Sequence, residues 1–533
     1  MNVPLTPVRF LRYAHEQFPD QPAVVCGEER YNYAQFAGRA GRLAGALREC
    51  GVKAGDRVAF LSPNCHRLLE AYYGVLEAGA VLLPLNIRLA PHEVAYILND
   101  AGATVLFLDQ AFVPLVDSFR KNTATVRSFF LLNGTPHASW LSSENYEDLL
   151  ASAQPYFADV MQFDENALAE LFYTSGTSAT PKGVMLTHRN VYLHAMDVAV
   201  GFTVPSEDVH LHTIPLFHAN GWGAAHFITV MGGKHVMIRS FDPVEVLRLI
   251  ARERVQSCFV VPIMAQALVH APQRPEYDLS SLKWVVIGGS ASSPTLVRDV
   301  KEKLGCDCFS GYGLTETAPV LAFSREKPGT CTKGPEHYER QAMTGYAIPG
   351  VEMRVVDATG ADVPRDGRTI GEIITRADGV MEAYWQQAEL TAEVLRDGWL
   401  HTGDMATVDA HGYALIADRK KDIIISGGEN ISSLEIEKML MAHPSVYDAA
   451  VLPIPDEKWG EVPKAFVVLK PGAQATEPEL LEFCRAHMAH YKAPRSVEFV
   501  AALPKNATGK TLKRDLRKHW SERGSQEPLI AQS

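Results

Sequence analysis

The hydrophobic and polar positions of the chain follow a regular alternation over residues 20–270. Short apolar runs are separated there by longer stretches that suit helices, and the clearest runs are residues 58–61, 81–83, 105–108 and 259–261. Short apolar runs bounded by polar turns are typical of buried strands, and the stretches between them are long enough for crossover helices. The pattern therefore predicts βαβ units.

Residues 40–49 illustrate the helical stretches. Leu43, Ala46 and Leu47 recur at the spacing of one helix face, and the stretch ends shortly before Gly51. Glycine is favoured just after the last turn of a helix because it adopts positive φ without a steric cost. The pattern predicts a helix that ends at a glycine cap, followed by a buried strand.

The pattern of apolar segments and turn-forming residues changes between residues 345 and 415. Short strand-like segments are separated there by pairs of turn-forming residues, namely Thr359-Gly360, Asp366-Gly367, Asp397-Gly398 and His411-Gly412. Closely spaced turn signals are typical of short strands joined by tight loops. They predict a β-rich subdomain over about residues 340–418.

A second compact domain is predicted to begin at residue 419. Residues 419–422 are the polar run RKKD, and an apolar run follows. Ser432 and Glu435 have the spacing of a capping box that opens a helix, residues 449–452 and 465–469 have the pattern of strands, and residues 479–488 suit another helix. We predict an α/β protein with a large N-terminal domain (1–418) of βαβ-type sheets plus the β-rich subdomain, and a small α+β C-terminal domain (419–533).

Size, charge and cysteine usage narrow the function. A chain of 533 residues exceeds what one hydrophobic core usually organises. Its 51 Lys and Arg against 62 Asp and Glu leave a net charge of -11, which argues against nucleic acid as a partner. No run approaches the ~18 apolar residues of a membrane span, so we expect a cytoplasmic protein without a transmembrane segment. The eight cysteines are scattered and predict reduced thiols.

The first candidate site is the run TSGTSATPKG at residues 174–183. Hydroxyl groups and exposed backbone N–H groups donate hydrogen bonds to phosphate oxygens, and a lysine ammonium group neutralises their charge. The residues expected to contact phosphate are Thr174, Ser175, Gly176, Thr177, Ser178 and Lys182. The run is not a Walker A loop, because Gly183 follows the lysine where that motif needs Ser or Thr. Taken alone, the run could also be a polar surface turn.

Four further motifs follow in order along the chain: GYGLTET at 311–317, WLHTGD at 399–404, DRKKD at 418–422 with SGGEN at 426–430, and PKNATGK at 504–510. Together with the phosphate loop they resemble the adenylate-forming superfamily, which contains acyl-CoA synthetases, luciferases and the adenylation domains of peptide synthetases. The resemblance covers nearly the whole chain. One departure is Ser178-Ala179, where the family usually has Thr-Gly; serine keeps the hydroxyl group, and alanine stiffens the loop.

The resemblance implies a role for each matched residue in making an acyl adenylate from ATP. Lys510 is the expected catalytic cation, although a solvated basic tail is the plain alternative, since other basic residues follow it. Glu316 is the expected Mg²⁺ ligand, and the hydroxyl group of Thr315 is expected to donate a hydrogen bond to a phosphate oxygen. Tyr312, after Gly311, is expected to stack on adenine. The opposite wall of the adenine pocket is expected to consist of Gly289, Ser290 and Ala291.

Two further positions are implied for the ribose. Asp404 resembles the carboxylate that accepts both ribose hydroxyl groups, and Arg419 resembles its partner that reaches the ribose or a phosphate. Read without the motif, Asp404 would be a turn residue and Tyr312 a core tyrosine.

The resemblance also implies a second half-reaction, in which the thiolate of coenzyme A attacks the acyl carbonyl group after the C-terminal domain has rotated. Lys421 occupies the expected hinge position, and Gly427 and Gly428 are expected to line the pantetheine tunnel. The alternative is a charged linker with a glycine turn. The expected partners are thus a small-molecule carboxylic acid, ATP with Mg²⁺, and coenzyme A; a homodimer is one expected assembly.

The acid is the least determined substrate. Residues 215–223, PLFHANGWG, resemble fatty acyl-CoA synthetases in which an indole gates the acyl tunnel, here that of Trp222. His218 is a candidate wall of the carboxylate pocket together with Gly289, although a lone histidine is often a core residue. We predict an ATP-dependent acyl-CoA ligase for a medium- or long-chain fatty acid. The alternatives are a ligase for an aryl, ring or short thioether acid, and a stand-alone enzyme that loads a carrier protein.

Overall fold

The computed structural model describes residues 2–174, 181–330, 333–426, 429–490, 492–505 and 511–523. The chain divides into two compact units. Unit 1 comprises Met1–Met353 and Thr375–Leu400, and unit 2 comprises Arg354–Ile374 and His401–Ser533. The boundary between functional domains at residues 418 and 419 stays a prediction.

Unit 1 contains two large sheets built on parallel strands, with antiparallel pairs at both edges of the first sheet and at one edge of the second. In spatial order the first sheet consists of Tyr346–Ala347, Val320–Phe323, Asp307–Gly313, Trp284–Ile287, Ser257–Val260, Val209–His212, Lys234–Met237, Pro22–Cys26 and Glu29–Asn32. The second consists of Ala383–Tyr384, Lys182–Thr187, Leu168–Thr174, Val81–Pro84, Arg57–Leu61, Ala103–Leu108 and Ser128–Leu131. Their adjacent parallel strands need crossover connections, which the helices provide.

The helices of unit 1 follow the strands along the chain. The α-helices are Val8–Gln17, Tyr33–Glu49, His66–Glu77, Pro91–Asp100, Val113–Phe119, Tyr146–Ser152, His188–Phe202, Ala224–Val230, Pro243–Glu253, Pro262–His270, Pro294–Leu304, Pro335–Gln341 and Ala388–Val394. The segment Ala219–Trp222 is a short helical turn with left-handed backbone angles. The 3-10 helices are Gln110–Phe112, Arg120–Asn122, Val160–Gln162, Arg274–Glu276 and Thr315–Thr317.

Unit 2 ends in an α+β arrangement. One sheet contains Glu429–Ile431, Ile424–Ser426, Gly460–Leu469 and Val446–Asp456 in that order, and Ser496–Phe499 pairs parallel with Gly460–Leu469. The helices are Ser433–Ala442, Glu477–His487 and Lys513–Arg523. Ile424, Ile436 and Leu440 belong to its buried apolar core.

Five further strands make up the β-rich region: Val351–Val356, Gly371–Ala377, Leu395–Arg396, Trp399–Val408 and Ala414–Arg419. The chain passes from one unit to the other within three of them. Gly360, Gly367, Gly398 and Gly412 have φ between 69° and 84°, which explains the turn signals.

The predicted α/β class is confirmed, and the predicted strands lie where apolar runs occur. The predicted helix at 40–49 is the second half of Tyr33–Glu49, which begins earlier because Asn32 and Gln35 form a capping box. Gly51 has φ of +79°, as a glycine beyond a helix end requires. The seven cysteines in the described part of the chain are free thiols, and no described helix is long and apolar enough to cross a membrane.

Candidate active site

The ends of two parallel strands bring the predicted adenine-binding residues together. Trp284–Ile287 pairs with Asp307–Gly313 so that Ile287 lies beside Ser310. Gly289, Ser290 and Ala291, which follow the first strand, are exposed, and Gly311 and Tyr312 end the second. A Cβ added to Gly288 would lie 3.1 Å from the carbonyl oxygen of Gly311. The carboxyl end of a parallel sheet is the usual place for a ligand in open α/β folds.

The two ends of the phosphate loop lie side by side. Thr174, at the end of Leu168–Thr174, pairs with Lys182, at the start of Lys182–Thr187. The predicted phosphate contacts Ser175, Gly176, Thr177 and Ser178 lie outside the described residues. An antiparallel pair of strands thus presents Thr174 and Lys182 at one end of the second sheet.

Glu316 belongs to a small cluster that includes Lys182. The Oε1 atom of Glu316 accepts a hydrogen bond of 2.7 Å from the hydroxyl group of Tyr384, and the ammonium group of Lys182 lies 5.4 Å from the centre of the Tyr384 ring. Thr315 precedes Glu316 in the 3-10 helix Thr315–Thr317. A single half-buried carboxylate beside a cation suits Mg²⁺ bound largely through phosphate oxygens and water. No described residues form a group of three or more metal-ligating side chains.

Tyr384 is a functional candidate that the sequence did not reveal. It reaches this cluster because Ala383–Tyr384 pairs antiparallel with Lys182–Thr187, with Tyr384 opposite Val184. The two strands are about two hundred residues apart in sequence, and no local pattern specifies their register.

Asp404 and Arg419 meet within unit 2. They lie opposite each other in the antiparallel pair formed by Trp399–Val408 and Ala414–Arg419, and the Nε atom of Arg419 is 2.6 Å from Oδ1 of Asp404. The Asp404 side chain is only 4% exposed, whereas that of Arg419 is 34% exposed. This ion pair holds the buried carboxylate of Asp404 in a fixed position beside the more accessible guanidinium group of Arg419.

Trp222 packs on the backbone that carries Gly289. A Cβ added to Gly288 would lie 2.9 Å from the Cζ3 atom of the indole, and one added to Gly289 would lie 3.4 Å from Cζ2. The indole is also 5.7 Å from the ring of Phe259, centre to centre. Trp222 and Gly289, both predicted to line the acid pocket, are therefore in contact range.

His218 precedes the left-handed turn. Its Nε2 atom is buried and has no hydrogen-bond partner among the described residues. Burial, reinforced by the charge of Arg88, lowers the pKa of His218 to about 4, so the imidazole is neutral near pH 7. A neutral imidazole with an unused ring nitrogen can donate one hydrogen bond to a carboxylate oxygen.

The remaining predicted residues are distributed as follows. Lys421 is exposed and lies in unit 2, between Ala414–Arg419 and Ile424–Ser426. Gly427, Gly428 and Lys510 lie outside the described residues.

Burial also lowers the pKa of other histidines in unit 1. The pKa is about 4 for His188, about 3 for His194 and His212, and well below its usual value for His210 and His235. In the unfolded chain each of these groups binds a proton near pH 6.5. Between pH 6.5 and about 4 the unfolded state therefore holds more protons than the native state.

We expect the midpoint of thermal unfolding to fall as the pH is lowered from about 6.5 to 4, with up to about 1.4 kcal/mol per pH unit lost for each such histidine. Four carboxyl groups act in the opposite direction, because burial raises the pKa of Glu77, that of Asp197 and Asp208 to about 6, and that of Glu437 to about 7. Six histidines, including His218, outweigh them. Thermal melts over this range, in buffers of constant ionic strength, test the expectation; a midpoint that rises or stays constant contradicts it.

Comparison with known proteins identifies the family of the chain. Residues 11–385 match the family model of AMP-binding enzymes, and residues 435–510 match the model of the AMP-binding enzyme C-terminal domain. The peroxisomal butyrate–CoA ligase AAE11 of Arabidopsis thaliana is 36% identical, over 97% of this chain and 93% of its own length. The long-chain-fatty-acid–CoA ligase of Thermus thermophilus is 38% identical, over 92% and 90%.

Solved structures give the same result. The crystal structure of the anthranilate CoA ligase AuaEII in complex with anthranoyl-AMP superimposes with a TM-score of 0.87 at 29% identity, over 97% of this chain and 98% of that one. The chain belongs to the family of AMP-binding enzymes. Within that family it is an AMP-forming acid–thiol ligase of the acyl-CoA synthetase branch.

Proposed function

We propose that the protein activates a medium- or long-chain fatty acid as its adenylate and transfers the acyl group to coenzyme A. The observation that carries this proposal is the position of Trp222, whose indole lies on Gly288 and Gly289 at the strand end predicted to bind the adenylate. A large apolar side chain at that place suits an acid with an apolar chain. The similarity to a long-chain-fatty-acid ligase supports the same choice.

In the first step, a carboxylate oxygen attacks the α-phosphorus of ATP, and the bond from that phosphorus to pyrophosphate breaks. Lys182 and Lys510 provide positive charge where two anions must meet. Glu316, oriented by the hydroxyl group of Tyr384, would hold a Mg²⁺ ion that neutralises phosphate charge. His218 would donate a hydrogen bond to a carboxylate oxygen of the acid, and Asp404 with Arg419 would orient the ribose.

In the second step, the thiolate of coenzyme A attacks the acyl carbonyl carbon, and AMP leaves with the electrons of the carbon–oxygen bond. Lys510 must move away from the phosphate to admit the thiol, which is why a rotation about Lys421 is proposed. Gly427 and Gly428 would then line the path of the pantetheine arm.

The experiment is an assay of pyrophosphate release and thioester formation with straight-chain acids from butyrate to palmitate, together with benzoate and anthranilate, each with and without coenzyme A. We expect the highest kcat/KM with a medium or long chain. Highest efficiency with butyrate or an aryl acid would favour a short or aryl acid as the substrate. The similarity of this chain to a butyrate ligase and to an anthranilate ligase makes that the alternative to test. Pyrophosphate release without any thioester would favour carrier-protein loading.

Replacement of Trp222 tests the acid pocket directly. Trp222→Ala is expected to change the order of preference among acid lengths and to leave the KM for ATP nearly unchanged, because the indole packs on Gly288 and Gly289 and is assigned to the acyl tunnel, with no proposed contact to the triphosphate. Truncation of a large aromatic side chain costs about 3–5 kcal/mol of stability, so thermal melts must first establish that the variant is folded. An unaltered length profile in a folded variant would assign Trp222 to the core.

The localisation and assembly of the enzyme are also predictions. We propose a cytoplasmic enzyme, and fractionation of cells that express the full chain tests this. Size-exclusion chromatography with light scattering tests whether the protein is a homodimer.

A further inference from the structure

The backbone that carries Trp222 has an unusual conformation. Five consecutive residues, Ala219 to Gly223, have positive φ angles of 39°, 48°, 66°, 60° and 86°. Glycine tolerates this region and asparagine adopts it occasionally, but it is unfavourable for Ala219 and Trp222. A run of such residues persists only where surrounding contacts impose it.

The contacts that impose it converge on Asn220. The side-chain oxygen of Asn220 accepts a hydrogen bond of 2.7 Å from the backbone N–H of Gly223, which determines how the amide group is oriented. The amide nitrogen must then face the opposite way, where it donates to Oε2 of Glu170 at 2.9 Å. Asn220 is 1% exposed, so bulk water cannot take the place of either partner, and loss of either hydrogen bond would leave a buried polar group unsatisfied.

Glu170 is held in turn by His226. The Nε2 atom of His226 is 2.6 Å from Oε1 of Glu170, and both side chains are almost completely buried. The imidazole packs edge-on against the rings of Tyr72 and Tyr73, at 5.5 and 5.7 Å between ring centres. Each carboxylate oxygen of Glu170 therefore has one donor, and its position is determined from two sides.

Glu170 lies on Leu168–Thr174, the strand that ends at the phosphate loop, and Asn220 lies two residues before Trp222. We propose that Glu170, through Asn220, is a positioning residue that fixes the backbone of Trp222 and so sets which acids the pocket accepts. The indole can then move only by rotation of its side chain on a rigid backbone. This inference rests on the proposed role of Trp222 at the acid pocket.

Two variants separate the network from general stability. Glu170→Gln keeps the size of the side chain but has one acceptor oxygen for two donors, so one of its hydrogen bonds must be lost or reversed. Asn220→Gly tolerates positive φ but removes both hydrogen bonds of the amide and leaves Glu170 and His226 in place. Thr229→Val is the matched control, because it removes a buried hydrogen bond to His235 from the helix that carries His226 without a contact to Asn220.

The first measurement needs no turnover. The protein is labelled with 5-fluorotryptophan, and the ¹⁹F resonance of Trp222 is assigned by its absence in Trp222→Phe. We expect this resonance to shift or broaden in Glu170→Gln and in Asn220→Gly, and to keep its position in Thr229→Val. An unchanged Trp222 resonance in both folded network variants would overturn the inference.

The second measurement is kinetic. For the preferred acid, kcat/KM is expected to fall by about tenfold in each network variant, while the KM for ATP changes by less than about twofold. The double variant should be little worse than either single variant, because both remove the same link. Equal losses in Thr229→Val, or multiplied losses in the double variant, would overturn it. If the wild type makes no thioester from long acids, the proposed substrate fails, but the fluorine spectra still decide whether Glu170 positions Trp222.

Discussion

Lys510→Ala is expected to lower the rate of adenylate formation by about 10² or more, which is the usual scale when one preorganised electrostatic group is removed. The physical reason is the approach of a carboxylate to a triphosphate, which needs a cation at the bridging oxygens. Thioester formation from a supplied acyl adenylate should survive, because no phosphoryl bond is made in that step. Pyrophosphate release and thioester formation are measured separately in single-turnover experiments.

The control for Lys510→Ala is Arg514→Ala. Arg514 is an exposed cation of the same basic segment, and its Nε atom is 3.2 Å from a carboxylate oxygen of its neighbour Asp515. If the segment acts only through its general positive charge, both variants should lose activity equally. Equal loss of both half-reactions in Lys510→Ala would also show that the lysine does not act on the phosphoryl step alone.

The sequence predicted the elements that local patterns specify. The apolar run at 81–83 is the strand Val81–Pro84, and the run at 105–108 is the end of Ala103–Leu108. Ser432 accepts a hydrogen bond from the backbone N–H of Glu435 at the start of Ser433–Ala442, which is one half of the predicted capping box; the Glu435 carboxylate accepts from Lys492. Period-two and period-3.6 patterns carry this information because they reflect which face of an element is buried.

The contacts of the candidate site depend on non-local geometry and were not predictable in the same way. The motif match indicated Glu316 and Asp404, but the hydrogen bond from Tyr384 to Glu316 depends on the register of Ala383–Tyr384, and the ion pair of Asp404 with Arg419 depends on the register of a hairpin. The left-handed run at Ala219 to Gly223 was equally hidden, because Ala219 and Trp222 are of types that usually avoid positive φ. Here tertiary contacts override local preference.

The structure gives the proposed hinge at Lys421 a specific set of neighbours within unit 2. Before it, the N–H of Lys420 donates to the carbonyl oxygen of Gly403; after it, the N–H groups of Asp422 and Ile423 donate to that of Arg419. Asp418 accepts hydrogen bonds of 2.6 Å and 2.5 Å from the backbone N–H and the hydroxyl group of Ser433. A rotation about Lys421 would have to separate Asp418 from Ser433, so the hinge is opposed by a buried carboxylate with several donors.

Lys421→Pro is expected to separate the two half-reactions. Proline fixes φ near −65° and biases the preceding residue towards an extended conformation, so the backbone at this position can no longer change its angles. The turn should stay in one conformation, most simply the one that forms the adenylate, since adenylation comes first. We expect pyrophosphate to be released at a nearly normal rate in a single turnover, and thioester to form about 10²-fold more slowly, the scale on which misplaced reacting groups reduce rates.

Lys421→Ala is the matched control for the proline variant, because it removes the exposed ammonium group and leaves the backbone free. It should do much less than proline, since the proposed rotation depends on φ and ψ and not on the charge of the side chain. Circular dichroism and thermal melts of both variants establish that the turn, with the hydrogen bonds of Asp422 and Ile423 to Arg419, still permits folding. A folded Lys421→Pro variant that converts acid, ATP and coenzyme A at the wild-type rate would contradict a two-conformation mechanism in which this residue is the hinge.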